Sequence, residues 1–181
     1  MEGNRLIIRV KHHIAQYLRD SIQSDVIKVD KGRAMMTMIK PYLILDPDEW
    51  ETEPLPEGMD EIFIELPQVR EEWESETDRI YWCDTLFRDH LSKRGLDILR
   101  NFFNKNFRAA YRSFMDGYTE SQQDATSLDE SEARLKVKRG AAAFLCQYHI
   151  DLDEKLIRAM VRDWYRHVER NEQNRYSPLI Y

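Results

Sequence analysis

Four arginines recur at four-residue intervals near the end of this 181-residue chain: Arg158, Arg162, Arg166 and Arg170. Side chains four apart on a helix lie one above the other, so this spacing predicts a row of guanidinium groups on one face. A guanidinium offers a planar fork of donors that a phosphate accepts, and neutralising phosphates releases the counterions that drive non-specific nucleic-acid binding. The row therefore predicts phosphate contacts. The alternative is an ordinary solvated face on which Asp163 and Glu169 pair with the arginines.

Two further groups of basic residues extend this hypothesis. The first group is spaced along an earlier helix and is predicted to share an outward side: Arg100, Arg108 and Arg112. The second group lies at the start of the helix that precedes the arginine row: Lys136, Lys138 and Arg139. These residues are predicted to bind the flanking strand of the nucleic acid. Together with the arginine row, these residues form the candidate nucleic-acid interface.

Other chemistry finds little support in the sequence. There is no phosphate-cradling Gly-Lys-Ser/Thr loop, no dinucleotide fingerprint and no nucleophile elbow. Cys146 and His149 could share one face of a helix as metal ligands, but no second ligand pair accompanies them. Both Cys83 and Cys146 are expected to be reduced core thiols. We therefore expect a non-enzymatic protein with no metal, cofactor or small-molecule ligand.

The elements that carry the arginine row are two predicted helices within 134–172. Apolar residues recur at three- and four-residue steps in both, and Asp151 and Asp153 can cap the second helix. This outline resembles the helix–turn–helix DNA-binding proteins in general. The resemblance implies that the second helix enters the major groove of duplex DNA while the first crosses the backbone. The linking segment 150–153 is acidic and lacks the usual glycine, and the arginines run along the whole second helix. These features favour phosphate contact over base reading.

The rest of the chain predicts an α+β fold with a small mixed or antiparallel sheet. Residues 5–11 alternate as a strand, with Leu6, Ile8 and Val10 on one side and Arg5, Arg9 and Lys11 opposite. Further strands are predicted at 26–29 and 62–66, with a candidate partner at 79–83, and helices at 12–21 and 34–43.

The predicted divisions of the chain are an N-terminal module (1–83) with an acidic loop (45–61), a long amphipathic helical segment (84–118) ended by Gly117, a polar linker (119–133), the helix pair (134–172) and a tail (173–181).

Charge is distributed very unevenly along the chain. Residues 45–78 contain fourteen acidic residues and one arginine, a net charge of −13, which leaves +7 for the remainder of a chain whose total is −6. This segregation suggests an alternative function, in which oppositely charged surfaces of neighbouring copies associate into a homo-oligomer. No membrane span or signal peptide is evident, so a cytoplasmic location is expected. An α+β module followed by a Trp-, Tyr- and Arg-rich helical end is also similar in style to small regulatory or structural proteins of phages and mobile elements.

Overall fold

The computed structural model describes residues 5–29, 34–66, 90–120 and 130–176, and in the last range it describes the side chains of 131–171. The fold is α+β, as the sequence predicted. The chain divides into two units, Met1–Lys105 and Asn106–Tyr181. The first unit contains the described strands, and the described part of the second is helical.

A three-stranded mixed sheet forms the centre of the first unit. Its strands are β1 (Arg5–Lys11), β2 (Val26–Lys28) and β4 (Met59–Glu65), in the order β1-β4-β2. Strand β1 is antiparallel to β4 and β2 is parallel to it. Ile8 lies opposite Ile62 and Leu6 opposite Ile64, and all four side chains are buried. Strand β4 begins at Met59, so it takes in the end of the predicted acidic loop. The candidate strand at 79–83 lies outside the described residues.

Short elements and one long helix complete the first unit. Helix α1 (His12–Ile22) buries Ile14, Ala15 and Leu18. Helix α2 (Ala34–Ile39) is shorter than predicted because a 3-10 turn (Lys40–Tyr42) containing Pro41 follows it. Strand β3 (Leu43–Ile44) then pairs with β5 (His90–Leu91). Helix α4 (Lys93–Glu120) starts in this unit, where Ser92 accepts hydrogen bonds from its first turn.

Arg9 corrects the simple alternating picture of β1. Its guanidinium is buried and donates to the Glu61 carboxylate at 2.9 Å and to the main-chain carbonyl of Trp50. It also lies over the Trp50 ring, 5.6 Å from the centroid. Trp50 belongs to helix α3 (Glu49–Thr52), which forms within the predicted acidic loop and has Asp48 as its N-cap. The loop therefore contains a packed helix that covers the polar side of the strand.

Three helical segments make up the described part of the second unit: the end of α4, α5 (Glu130–Gln147) and α6 (Glu154–Tyr176). The Phe144 ring of α5 is fully buried and contacts four other aromatic rings at centroid distances of 4.8–5.6 Å. These rings belong to Phe107, Tyr111, Phe114 and Tyr148. The buried stripe of α4 in this unit follows Phe107, Tyr111 and Met115, at steps of four residues. An aromatic cluster thus holds α4 and α5 together.

Two sequence expectations for this region are wrong. Helix α4 continues through Gly117 to Glu120, because glycine lowers helix stability but does not forbid the conformation. Cys146 is exposed instead of buried, since it lies on the side of α5 away from Ala141 and Phe144. Cys83 lies outside the described residues, as does most of the predicted polar linker. None of the described helices combines the length and the hydrophobicity that a membrane-spanning segment requires.

Candidate nucleic-acid interface

The connection between α5 and α6 is a compact turn that needs no glycine. His149 has a left-handed backbone (φ 50°), and Ile150 donates its N–H to the carbonyl of Leu145 at 2.8 Å. His149 donates to the carbonyl of Cys146, which completes a Schellman motif, and the apolar contact expected of that motif is supplied by the buried Ile150 and Leu145. The Asp153 carboxylate then accepts from the N–H of Lys155 at 2.9 Å. The predicted cap at Asp153 is therefore confirmed.

Helix α6 buries one stripe and leaves the arginine row in solvent. Its buried side chains are Ile157, Met160 and Trp164, which are three of the five positions that the apolar spacing predicted. The other two, Val161 and Val168, are half-buried. The four arginines of the row are all exposed. Residues four apart on a helix are offset by about 40° and rise about 6 Å, so the row forms a shallow spiral about 18 Å long outside the buried stripe. We call these four arginines the arginine face of α6.

Among the described residues, most of the arginine face has no acidic partner. Arg158 donates to Glu154, four residues earlier, at 3.2 Å. Arg162, Arg166 and Arg170 have no hydrogen bond or ion pair within the part of the chain that the structure describes. Asp163, which could have neutralised the row, bonds to another helix. Glu169 likewise has no ion pair with the row among the described residues. Three guanidinium groups are therefore directed to solvent, and neither acidic partner expected for an ordinary solvated face pairs with the row there.

Lys155 is a basic residue that the four-residue pattern missed. It is exposed and lies seven residues before Arg162, which is two turns and therefore the same side of α6. Its position at the start of the helix extends the basic surface by about one turn beyond Arg158. The sequence contained this signal, because steps of three and seven residues also keep two side chains on one side of a helix.

A groove of about 950 Å³ lies between the start of α5 and the first half of α6. Its apolar lining is Ala133 from α5 and Ile157, Val161 and Tyr165 from α6. Its charged lining is Arg134 and Lys138 from α5 and Glu154, Arg158 and Arg162 from α6. The groove beside the arginine face thus has an apolar lining and cations on both helices.

Glu154 joins the two sides of this groove. One of its carboxylate oxygens accepts from Lys138 at 3.0 Å and from Arg158 at 3.2 Å. Hydrogen bonds from Lys138 and then Arg158 hold the pKa of Glu154 below its ordinary value. The carboxylate is therefore ionised at neutral pH, and it tethers two of the four cations that line the groove.

The basic residues predicted on α4 do not form one outward row. Arg112 makes a bidentate salt bridge with Asp163 of α6, and both nitrogen–oxygen distances are 2.9 Å. In the first unit Arg100 donates to the main-chain carbonyl of Arg9 at 2.6 Å, and it lies 3.4 Å from Asp97. Arg108 is exposed and has no acidic partner among the described residues. Two of the three guanidinium groups thus have structural roles that a phosphate would have to displace.

The three basic residues predicted on α5 also separate. Lys136 and Lys138 are two residues apart, which turns them about 200° around the helix. Lys138 lines the groove and is bound to Glu154, whereas Lys136 is partly buried and Arg139 is exposed. Lys138 is therefore the member of this group that lines the groove beside the arginine face.

Nothing in the described ranges indicates a metal centre, since no three His, Cys, Asp or Glu side chains there are placed to hold an ion. Cys146 and His149 are both exposed at the end of α5.

No family model matches the chain, and no curated protein or solved structure is detectably similar to it. The interpretation of the surface therefore rests on its own geometry and charge.

Proposed function

We propose that this chain is a non-enzymatic nucleic-acid-binding protein whose phosphate contacts come from the arginine face of α6. The observation that carries the proposal is the set of solvent-directed guanidinium groups at Arg162, Arg166 and Arg170, which have no acidic partner among the described residues. They are spaced about 6 Å apart along the helix axis, and a nucleic-acid backbone presents regularly spaced negative charges to such a row. Lys155 and Arg158 continue the surface toward the start of the helix.

The α4 arginines have a smaller part in this proposal than the sequence predicted. Arg112 and Arg100 already bind a carboxylate and a carbonyl, so releasing them to a phosphate would cost those bonds. The helix–turn–helix mode, with α6 in a major groove, remains one way to present the arginine face. A regulatory or structural setting in a phage or mobile element would be compatible with sequence-independent phosphate contact.

The test is a fluorescence-anisotropy titration of the full chain with a labelled 20-nucleotide mixed-sequence duplex and with the corresponding single strand, at two salt concentrations. We expect micromolar or tighter binding at low salt. The slope of log affinity against log salt should be about −0.9 per phosphate contact for duplex and about −0.7 for a single strand. The double variant Arg162→Gln/Arg166→Gln should lower affinity about tenfold or more and make the slope shallower by between one and two.

A matched control removes the same charge elsewhere. Lys11 and Lys93 are exposed residues of the first unit, so Lys11→Gln/Lys93→Gln changes net charge equally without touching α6. We expect this control to bind like the wild type. Equal losses in both double variants would mean that only overall charge matters. An absence of binding at low salt would overturn the proposal, and salt-dependent self-association would then favour the alternative of charge-driven assembly.

A further inference from the structure

We infer that the groove between α5 and α6 takes single-stranded nucleic acid, with bases against Tyr165 and the apolar lining and phosphates on the arginine face. This inference rests on the proposed function and specifies its ligand. The observation behind it is that the phosphate-binding candidates Arg158 and Arg162 also line an apolar groove. A surface that met only a sugar–phosphate backbone would gain little from that apolar lining.

Tyr165 is the aromatic side chain of the groove. It is 41% exposed, although it lies on a helix whose apolar stripe is otherwise well packed. On a helix, side chains lean toward the preceding turn, so the ring lies beside Val161 and Arg162. An accessible ring beside cations is the combination with which proteins hold unstacked bases, since every base has a face that can stack.

The charges of the groove fit a phosphate chain on one side. Glu154 already engages Lys138 and Arg158, so these two cations offer only part of their charge to a ligand. Arg162 has no partner among the described residues, and the arginine face continues to Arg166 and Arg170 beyond the residues that line the groove. A strand whose backbone follows the arginine face can therefore extend past the groove while its bases enter it.

A duplex and an acidic peptide fit these features less well. In a duplex the base faces are stacked on one another, so the apolar lining would stay unused unless bases were extruded. An amphipathic acidic peptide could cover the apolar lining, but it would leave the continuation of the arginine face unexplained. The single strand uses the ring, the apolar lining and the whole arginine face together.

The experiment crosses two protein changes with two ligands in the full chain. Tyr165→Leu removes the ring but keeps apolar bulk, and Tyr165→Phe keeps the ring. The ligands are a labelled 20-nucleotide mixed-sequence strand and a strand of equal length made entirely of abasic sites. We expect the wild type and Tyr165→Phe to bind the strand with bases about tenfold or more tightly than the abasic strand. In Tyr165→Leu this advantage should shrink several-fold, with an unchanged salt slope, because no phosphate contact is lost.

The outcomes separate this inference from the proposed function. Duplex binding as tight as single-strand binding, with a base advantage that Tyr165→Leu does not alter, would overturn the inference and leave the arginine face intact. Competition by poly-glutamate as strong as that by an unlabelled strand would overturn it in favour of an acidic peptide. No binding of any nucleic acid at low salt would overturn both. Because Tyr165 is partly exposed, Tyr165→Leu should fold, and a thermal melt followed by circular dichroism checks this.

Discussion

At the scale of single residues, spacing identified which side chains share a helix face but could not identify their partners. The arginine face was predictable because one periodicity governs both it and the buried stripe of α6. Arg112 has the same kind of spacing on α4, yet it bonds to Asp163, fifty-one residues away in sequence. A pattern local to one helix contains no information about a carboxylate on another helix. Arginines that bind a carboxylate and arginines that have no partner among the described residues therefore look alike in sequence.

Tyr111 is a residue whose environment leads to a stability prediction. It is fully buried, and its hydroxyl has no hydrogen-bond partner within the described ranges. Burial, together with the negative charge of Asp163 and the phenol of Tyr165, raises the pKa of Tyr111. A buried polar group without a partner costs about 1–3 kcal/mol. We expect Tyr111→Phe to increase the free energy of unfolding by about 1 kcal/mol, measured by urea denaturation, because it removes that group and keeps the ring contacts.

Tyr165→Phe is the matched control for that measurement. The same hydroxyl is deleted from a ring that is accessible to solvent, so the change should be within about 0.5 kcal/mol of zero. A loss of stability of more than about 1 kcal/mol on Tyr111→Phe would show that the hydroxyl has a favourable contact in solution and would contradict the prediction.

At the scale of elements, the sequence predicted most helices and strands but not where each one ends. Strand β1 and helix α1 follow clear periods of two and about 3.6 residues and were located well. Helix α3 was missed because its four residues lie among prolines and acids that resemble a loop, and its stability depends on Trp50 packing against Arg9. Short elements are decided by such tertiary contacts, which local sequence does not encode.

The two glycines within α4 provide a prediction about that helix. A Cβ added at Gly95 would lie 2.7 Å from the Cβ of Tyr42 and 2.7 Å from a methyl of Leu91, whereas one at Gly117 would meet nothing within 4 Å. Alanine is favoured over glycine in a helix by about 1 kcal/mol. Gly117→Ala should therefore raise the free energy of unfolding by about 0.5–1 kcal/mol. Gly95→Ala should lower it by about 1–3 kcal/mol, because the tight contact forces the backbone apart.

Chemical denaturation of the two single variants measures both effects, and each variant is the control for the other. The helix and the substitution are the same in both, so only the surroundings differ. If both alanines stabilised the protein equally, the close approach of α4 to Tyr42 would not exist in solution. If both destabilised it, helix propensity would not govern the exposed position.

At the scale of the whole molecule, net charge is a poor guide to the charge of any one surface. The acidic excess of residues 45–78 is partly used inside its own unit: Glu51 accepts from His90 at 2.8 Å and from the N–H of Leu91, and Glu61 binds Arg9. The sequence alone predicted an acidic loop over 45–61 and did not reveal these pairings. A total of −6 is thus compatible with a basic face on α6 whose only acidic partner among the described residues is Glu154.

Asp60 gives this internal charge pairing a measurable consequence for folding. Its carboxylate, on β4, accepts from His12 at 3.0 Å and from Arg19 at 2.7 Å, both on α1. Burial alone would raise the pKa of Asp60, but the hydrogen bonds from His12 and Arg19 outweigh burial and hold the pKa below its ordinary value of 3.8. A pKa that is lower in the folded state than in the unfolded state means that ionised Asp60 stabilises the fold. This stabilisation is complete above the unfolded pKa and is lost as pH falls through the folded pKa.

We therefore expect Asp60→Asn to lower the free energy of unfolding by roughly 1 kcal/mol at pH 7. The difference in free energy of unfolding between wild type and variant should narrow as pH falls below about 4 and vanish below the folded pKa of Asp60. Urea denaturation at pH 7, 5, 4 and 3 measures this difference. Asp25→Asn is the control, since it removes a more exposed carboxylate from the same Arg19 and should cost less at pH 7. Protonation of Asp60 in acid should abolish any contribution from its charge. If the free energies of unfolding of wild type and Asp60→Asn differed by the same amount from pH 7 to pH 3, the charged carboxylate would not be what couples α1 to the sheet.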